Sequence, residues 1–532
     1  MKNLAELASA VEDAQVYGMA DVTGVCCDSR QLKPGDLFVC VCGFASDGHL
    51  FAAEAAAKGA AALVVEHPVE GVDLPYILVP NSRRALAQVA ASFFDWPAGK
   101  LLNIGITGTN GKTTTAFLTE AVLRSLGYNP GLLGTIEAHI GGEVRHLANT
   151  TPESLDLQRY FSEMASCGQD SVVMEVSSHA LALDRTFGIP YDIAVFTNLT
   201  QDHLDFHKTM EDYFSTKLKL FSDLGTHTGR PRSPFAIINI DDPYGQRLYE
   251  ILQQRVPVIT YGVNTRADVR AYNVDATPNG LTFLVETRLE VSQVKLPMSG
   301  MFNVHNCLAA IAVGVALRGS LQRIVSGAES VSSVPGRFQL VREGQPFTVI
   351  VDYAHTPDGL QHVLESARHI TSRELTVVFG CGGDRDKGKR PLMGEIAANL
   401  ADKVIVTSDN PRSEDVDAII AQIMEGVQRS SAHPQVAVVP DRAEAIAKAI
   451  AEASEGDTVV IAGKGHENYQ KFSDRTVHFD DVETARGNLR KRADLAALKG
   501  CLPSVRLAIN WDRSVLRTSE EIAQYIAQKR VI

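Results

Sequence analysis

The sequence lacks the features that would place it in several large classes. No apolar run approaches about 18 residues, so no membrane-spanning helix is expected. The opening MKNLAELASAVEDA carries acidic residues where a signal peptide needs an apolar core, and a cytoplasmic protein is the expectation. There is no long basic run, and a net charge of -12 offers nucleic acid no electrostatic footprint. The cysteines at 26, 27, 40, 42, 167, 307, 381 and 501 include an adjacent pair and a CxC but no paired CxxC. That spacing argues against a zinc site, and a chain of this size needs no disulfide staples, so reduced and mostly buried thiols are expected. Internal repeats and low-complexity tracts are also missing.

At 532 residues the chain is too long for one core, and a prior of about one domain per 150 residues gives three or four. We expect α/β units at 1–98, 99–335 and 336–493, with a C-terminal extension at 494–532. The first break is expected at Asp95-Trp96-Pro97-Ala98-Gly99-Lys100, where proline and glycine interrupt a helix ahead of an apolar strand.

That strand introduces the most informative stretch, GITGTNGKTTT from Gly105 to Thr115. Leu101, Leu102, Ile104 and Ile106 suit a buried strand, and Leu118, Ala121, Val122 and Leu126 fall at helical spacing. Strand, glycine turn and helix form the context of a phosphate loop. Backbone N–H groups around Gly108, Thr109, Asn110 and Gly111 would face polyphosphate, Lys112 would add a point charge, and Thr113 or Thr114 a hydroxyl for Mg²⁺. The strict GxxxxGK[ST] pattern fails at Ile106, so the motif is the variant GTNGKTT. A glycine turn with an incidental lysine is the competing structural reading.

Glu175 ends one β-type run, and His203 follows another, Asp192 to Thr197. In a parallel sheet such ends face the ligand side, which gathers a carboxylate and an imidazole near the phosphate loop. Further on, four β-type runs recur at Phe347–Val351, Leu375–Gly380, Lys403–Ser408 and Thr458–Gly463. They lead into Asp352-Tyr353-Ala354-His355, CGGDRDKGKR, Asp409-Asn410-Pro411-Arg412 and Lys464-Gly465-His466-Glu467. These loops should converge on one cleft, with guanidinium groups at Arg385, Arg390 and Arg412 and a carboxylate at Glu467. Such a set suits a zwitterion with more than one carboxylate, against the alternative of a solvated basic surface.

The first unit is less legible. It offers Asp28-Ser29-Arg30, a Pro-Gly-Asp turn and an alanine-rich helical stretch from Phe51 to Ala62, and the Asp-Ser-Arg piece reads equally as a local side-chain to backbone motif. The C-terminal end carries an amphipathic helical pattern, with Ser519 and Glu520 ahead of Ile522, Tyr525 and Ile526.

Taken together, GTNGKTT, NTTPES, EVSSHAL, NLTQDHLDFH, the lysine after YFST, GMFNVHN, PGRFQ, DYAHTPD, GCGGDRDKGKRP, DNPR and GKGHENYQ resemble, in content and order, the Mur ligase family, MurE type. The resemblance spans about residues 20 to 490. It implies a unit for the uridine nucleotide, a central P-loop ATPase and a C-terminal Rossmann-like unit for an incoming amino acid. It implies ATP and Mg²⁺ as cofactors, and UDP-N-acetylmuramoyl-L-alanyl-D-glutamate and meso-diaminopimelate as substrates of a monomer in peptidoglycan precursor synthesis. By the same resemblance, Ser29, Thr150, Thr151, Ser177 and Arg185 hold the UDP-substrate, although Leu183 stands where relatives often have glutamine. Lys112 holds phosphates. Thr113 or Thr114 with Glu175 ligates one Mg²⁺, and His203 with a carbamylated Lys217 ligates a second. Asn306, Arg337 and Asp352 contact the nucleotide. Arg390, Asp409, Asn410, Arg412, Gly463 and Glu467 take the amino acid, with Arg412 pairing the carboxylate that distinguishes diaminopimelate from lysine. A lysine-adding or folate-type ligase of the same fold, and a nucleotide-dependent switch, are the alternatives.

Overall fold

A computed structural model describes residues 1–43, 46–225 and 233–501 of the chain, and it builds three α/β units on three principal sheets. The first sheet has five strands, in the order Gln15–Tyr17, Tyr76–Leu78, Ala62–Val65, Asp36–Val39 and Gly24–Cys26. All pairings are parallel except the first. The helix Ser82–Phe93 covers it, capped by Asn81, whose side chain accepts from the Arg83 and Arg84 N–H groups. The alanine-rich stretch is shorter as a helix than its composition suggests. It runs only over Ala52–Ala57, because the Lys58-Gly59 turn stops it and Ala62-Leu63-Val64-Val65 is a fully buried strand. Alternation cannot mark a strand that is buried on both faces.

After Phe93 the chain turns through Asp95 and Trp96, both in the left-handed region, and a single 3₁₀ turn at Pro97–Lys100 delivers it to the second sheet. This sheet has eleven strands. Its centre is Leu102–Thr107, buried along its whole length and paired in parallel with Ser171–Glu175 on one side and Ile193–Phe196 on the other. The helix Lys112–Leu126 packs on Phe302–Ala316 and Leu321–Glu329, where Leu118, Val122 and Leu123 share a core with Leu308, Ile311 and Ile324. On the other face Phe161, Met164, Phe214 and Phe221 build a second core.

The third sheet has six strands, in the order Gln339–Leu340, Thr348–Asp352, Thr458–Ala462, Leu375–Phe379, Lys403–Val406 and Gln435–Val438. Only the first pairing is antiparallel. Separate apolar clusters cover its two faces. The registers align Asp352 with Ala462 and Phe379 with Val406, so the loops that follow these strands leave from one edge. Arg442 and Asp481, both fully buried, pair at 2.8 Å and fasten the helix Arg442–Glu452 to the start of the helix Asp481–Cys501. Removing one partner would leave a bare buried charge, at about 3–5 kcal/mol.

Among the described residues no helix is long and apolar enough to cross a membrane. The amphipathic pattern at Ser519–Ile526 lies outside the described residues.

Candidate active site

The phosphate loop has the backbone that such a site requires. Gly108 and Gly111 adopt φ of 152° and 84°, and a Cβ would collide with Thr197 Oγ1 at the first and Asn306 Oδ1 at the second. Gly111 caps the helix that starts at Lys112. The loop is pinned from the neighbouring strand end: Asn198 Oδ1 accepts from the Asn110 N–H at 2.8 Å, and Thr197 Oγ1 donates to the Asn110 carbonyl at 2.7 Å. The Thr109 N–H donates to the Asn198 carbonyl at 2.9 Å. Lys112 Nζ lies folded on the loop, donating to the carbonyls of Gly108 and Thr109 at 2.9 and 2.8 Å, and desolvation lowers its pKa from the usual lysine range.

Glu175 ends its strand with its side chain buried. Its Oε2 accepts from Thr113 Oγ1 at 3.0 Å and Thr135 Oγ1 at 3.1 Å, and its Oε1 accepts from the Thr135 N–H at 2.8 Å. Thr135 also touches Thr150, hydroxyl to hydroxyl at 3.0 Å. Behind the strand end, Thr151 Oγ1 donates to the Glu175 carbonyl at 2.8 Å and accepts from the Ser177 N–H at 3.0 Å. Arg185 Nη1 donates to the Thr151 carbonyl at 3.1 Å.

His203 sits in the left-handed region at φ 54°, its Nε2 3.4 Å from Asp202 and its ring edge-on to His179 at 4.9 Å. Desolvation, with His179, Lys112 and Lys217 adding to it, lowers its pKa to about 4. Lys217 is 2% exposed. Its Nζ donates to the Gly108 carbonyl at 2.8 Å and lies 4.5 Å from the centre of the Tyr213 ring. Burial, and after it the Lys112 charge, hold its pKa well below the ordinary lysine value.

One cavity of about 540 Å³ is lined by the loop from Thr109 to Thr114, by Glu175, Thr150, Ser177 and His203, and by Asn306, Arg337 and Asp352 from beyond. Asn306 Oδ1 accepts from Thr115 Oγ1 at 3.3 Å. Arg337 donates through Nη2 to Thr113 Oγ1 at 3.3 Å and stacks over the Tyr353 ring, while its buried Nε has no partner among the described residues. Asp352 accepts the Phe338 and Ala354 N–H groups at 2.6 and 2.7 Å, and burial raises its pKa.

The aligned loops of the third sheet bring a second group of the expected residues together. The Arg412 backbone is held at φ 52° with its N–H on the Lys471 carbonyl at 3.0 Å, and Nη1 donates to the Gly383 carbonyl at 2.6 Å. Asn410 Nδ2 donates to Glu467 Oε2 at 2.9 Å. Asp409 accepts from the Asn410 N–H at 2.6 Å, and Gly463 packs so closely that a Cβ there would stand 2.8 Å from its carboxylate. Arg390 differs from the free cation that its place in the loop after Leu375–Gly380 suggested. It is fully buried, binds both oxygens of Glu414 at 2.9 and 3.0 Å, reaches Gln422 and the Gly382 carbonyl, and keeps only Nε without a partner among the described residues. Arg385 is exposed.

Ser29 is not among the residues lining the cavity. It lies in the first unit, its Oγ 3.3 Å from Glu54 Oε2 and its carbonyl accepting from Lys58 Nζ at 2.9 Å. Sequence reasoning passed over Thr135, Asn198, Tyr213 and Glu414. Asn198 and Tyr213 stand inside the motifs NLTQDHLDFH and YFST without a role assigned to them, Thr135 and Glu414 lie outside every motif, and the contacts reveal all four.

Family models match in chain order: Mur ligase family, catalytic domain, over 21–94; Mur ligase middle domain over 106–314; and Mur ligase, glutamate ligase domain, over 336–465. The chain belongs to the Mur ligase family. A relative from Geobacillus thermodenitrificans, named UDP-N-acetylmuramoyl-L-alanyl-D-glutamate–2,6-diaminopimelate ligase, is 48% identical over 475 residues, 89% of this chain and 96% of its own length. One of the same name from Listeria monocytogenes is 44% identical over 497 residues, 93% of this chain and 100% of its own. A solved structure of a ligase of that name superposes with a TM-score of 0.64 at 33% identity, covering 89% of this chain and 95% of that one. A MurF ligase from Thermotoga maritima in complex with ADP shares the fold, with a TM-score of 0.61 at 22% identity over 88% of this chain and 98% of its own.

Proposed function

We propose that the chain joins the γ-carboxylate of the D-glutamyl residue in UDP-N-acetylmuramoyl-L-alanyl-D-glutamate to an amine of meso-diaminopimelate, with ATP converted to ADP and phosphate. The observation that carries this reading is the pairing of two sites in one chain. One is a glycine-cradled cavity rich in phosphate and cation ligands; the other is a cleft whose guanidinium, amide and carboxylate suit an amino acid with two carboxylates. Relatives of that name at 44% to 48% identity support the choice of substrates.

The residues fit a nucleoside triphosphate: the loop from Thr109 to Thr114 lines the cavity with Lys112, and the buried Arg337 Nε lacks a partner among the described residues. They also fit Mg²⁺, with Thr113, Thr114 and Glu175 as ligands on one side and His203 with Lys217 on the other. An ammonium cannot ligate a cation, so we assign Lys217 a carbamate. Burial favours its neutral amine, and only that form adds CO₂, forming an N–C bond as the nitrogen loses a proton. When bound, Mg²⁺ neutralises phosphate charge.

A carboxylate oxygen attacks the terminal phosphorus of ATP, the bond to ADP breaks, and an acyl phosphate forms. The amine then attacks the acyl carbon, a proton leaves the nitrogen, and phosphate departs to leave the amide. Carboxylate alone would have to expel oxide, which is why phosphorylation comes first. Lys112 and Arg337 hold phosphates, Asn306 and Asp352 shape the nucleotide wall, and Ser29, Thr150, Thr151, Ser177 and Arg185 orient the UDP-substrate. In the cleft Arg412 takes the distal carboxylate, while Asp409, Asn410, Gly463, Glu467 and the Nε of Arg390 frame the rest. One chain holds every group named, which supports a monomer. ATP as co-substrate and the free thiols of the described cysteines support a cytoplasmic setting.

The test is phosphate release from ATP with the UDP-dipeptide substrate, comparing meso-diaminopimelate with L-lysine. Strong preference for diaminopimelate is expected. Equal use of both would remove the selectivity account, and stimulation by neither would favour a nucleotide switch.

A further inference from the structure

We propose that Lys464 is a positioning residue that fixes the amino-acid cleft through Glu467 and Asn410; the inference rests on the ligase reading above. Lys464 follows the strand Thr458–Ala462 by two residues and is fully buried. A buried ammonium has three protons to place. Here one faces Asn410 Oδ1 at 3.2 Å, one faces Glu467 Oε2 at 3.1 Å, and the Tyr469 ring lies 5.3 Å from the nitrogen.

The consequence lies in what these contacts leave over. Asn410 Oδ1 also accepts from the Lys471 N–H at 2.9 Å, so two donors face the oxygen side of the amide. The nitrogen side is thereby turned to Glu467 Oε2, at 2.9 Å. Oε2 therefore takes both the ammonium and the amide, and Oε1 is left without a protein partner among the described residues. A carboxylate with one committed and one open oxygen is a directed acceptor for a substrate ammonium. Arg412, tied to the Gly383 carbonyl, stands on the same loop as Asn410 for a carboxylate. Lys464 thus decides which edges of the pair meet the amino acid without touching it.

The test uses the full-length enzyme with ATP, the UDP-dipeptide and meso-diaminopimelate. Lys464→Met keeps the bulk of the stem and removes the charge. The expected result is a rise of about tenfold or more in KM for diaminopimelate, with KM for ATP and for the UDP-dipeptide within about twofold of wild type. A double-mutant cycle separates positioning from general damage: in a Glu467→Gln background the same substitution should change KM for diaminopimelate by less than about twofold. An unchanged KM in the single variant, an equal factor in both backgrounds, or a parallel rise in all three KM values would each overturn the proposal. If Lys464→Met loses the cooperative melting of wild type, Lys464→Gln is measured against the same criteria, and failure of both to fold assigns Lys464 to the fold and ends the idea. Wild type that diaminopimelate does not stimulate would overturn the ligase reading itself, a separate result.

Discussion

Lys217 and Lys464 have almost no exposed surface, 2% and 0%, yet their surroundings are opposite. Lys464 shares Glu467 Oε2 with Asn410. Lys217 meets a backbone carbonyl and an aromatic face, with no carboxylate at ion-pair distance among the described residues. The carboxylates differ in the same way. Glu467 is oriented by an ammonium, whereas Glu175 is held by two threonine hydroxyls and a backbone N–H. The cleft is a self-neutralised frame built to hold shape. At the cavity, Glu175 lines the wall and Lys217 lies buried against the Gly108 carbonyl, and each is held by neutral groups alone.

The most severe way to break this contrast is Lys217→Met. Without an oxygen ligand at 217, kcat should fall roughly a thousandfold at saturating substrates, the scale seen when one preorganised stabilising group is removed. The same variant should be more stable than CO₂-free wild type, because burying an unpaired lysine opposes folding. The native Lys217 pKa lies well below 10.5, so below that pH the unfolded chain binds more protons here than the native one. The contribution of Lys217 to stability should therefore rise with pH up to about 10.5, so the stability advantage of Lys217→Met over wild type should shrink as pH rises. Melting temperatures in CO₂-free buffer from pH 7 to 10 measure it; a lower melting point for the variant would show that Lys217 is paired after all.

How far the sequence reveals this contrast depends on the kind of signal. The phosphate loop was legible because its glycines, lysine and threonines lie together, and strand–turn–helix periodicity brackets them. The third-sheet loops were legible because each follows a β-type run, and parallel register carries all of them to one edge. What stayed hidden was pairing across the chain. Nothing local says that Arg390 is consumed by Glu414, 24 residues on, or that Thr135 holds Glu175, 40 residues on. Nothing in the local sequence separates Lys217 from an ordinary lysine on a helix surface, since burial of a helix face depends on what packs against it.

A milder test sharpens the cleft side. Arg412→Ala leaves the Lys464–Glu467–Asn410 frame intact and removes the guanidinium assigned to the second carboxylate. KM for diaminopimelate should rise by about thirtyfold, as expected for loss of a charge-assisted contact, while KM for ATP stays near wild type. Preference over L-lysine should shrink by the same factor, because lysine has no carboxylate to lose. If the preference survives, discrimination lies elsewhere in the cleft.

The smallest effect is expected at Thr135, and it asks whether neutral groups are enough to orient Glu175. Thr135→Val removes the hydroxyl at 3.1 Å from Oε2, keeps the backbone N–H at 2.8 Å from Oε1, and leaves Thr113 in place. One of three anchors is lost, and the carboxylate gains freedom without gaining or losing a charge. Groups behind a metal ligand typically change metal affinity by about 10- to 100-fold, and with two anchors retained the lower end applies. The Mg²⁺ concentration for half-maximal rate should rise by about tenfold, and kcat at saturating Mg²⁺ should stay within about threefold of wild type. A fall in kcat that added Mg²⁺ cannot restore would mean that Thr135 acts on the substrate through Thr150, 3.0 Å away, and not through Glu175.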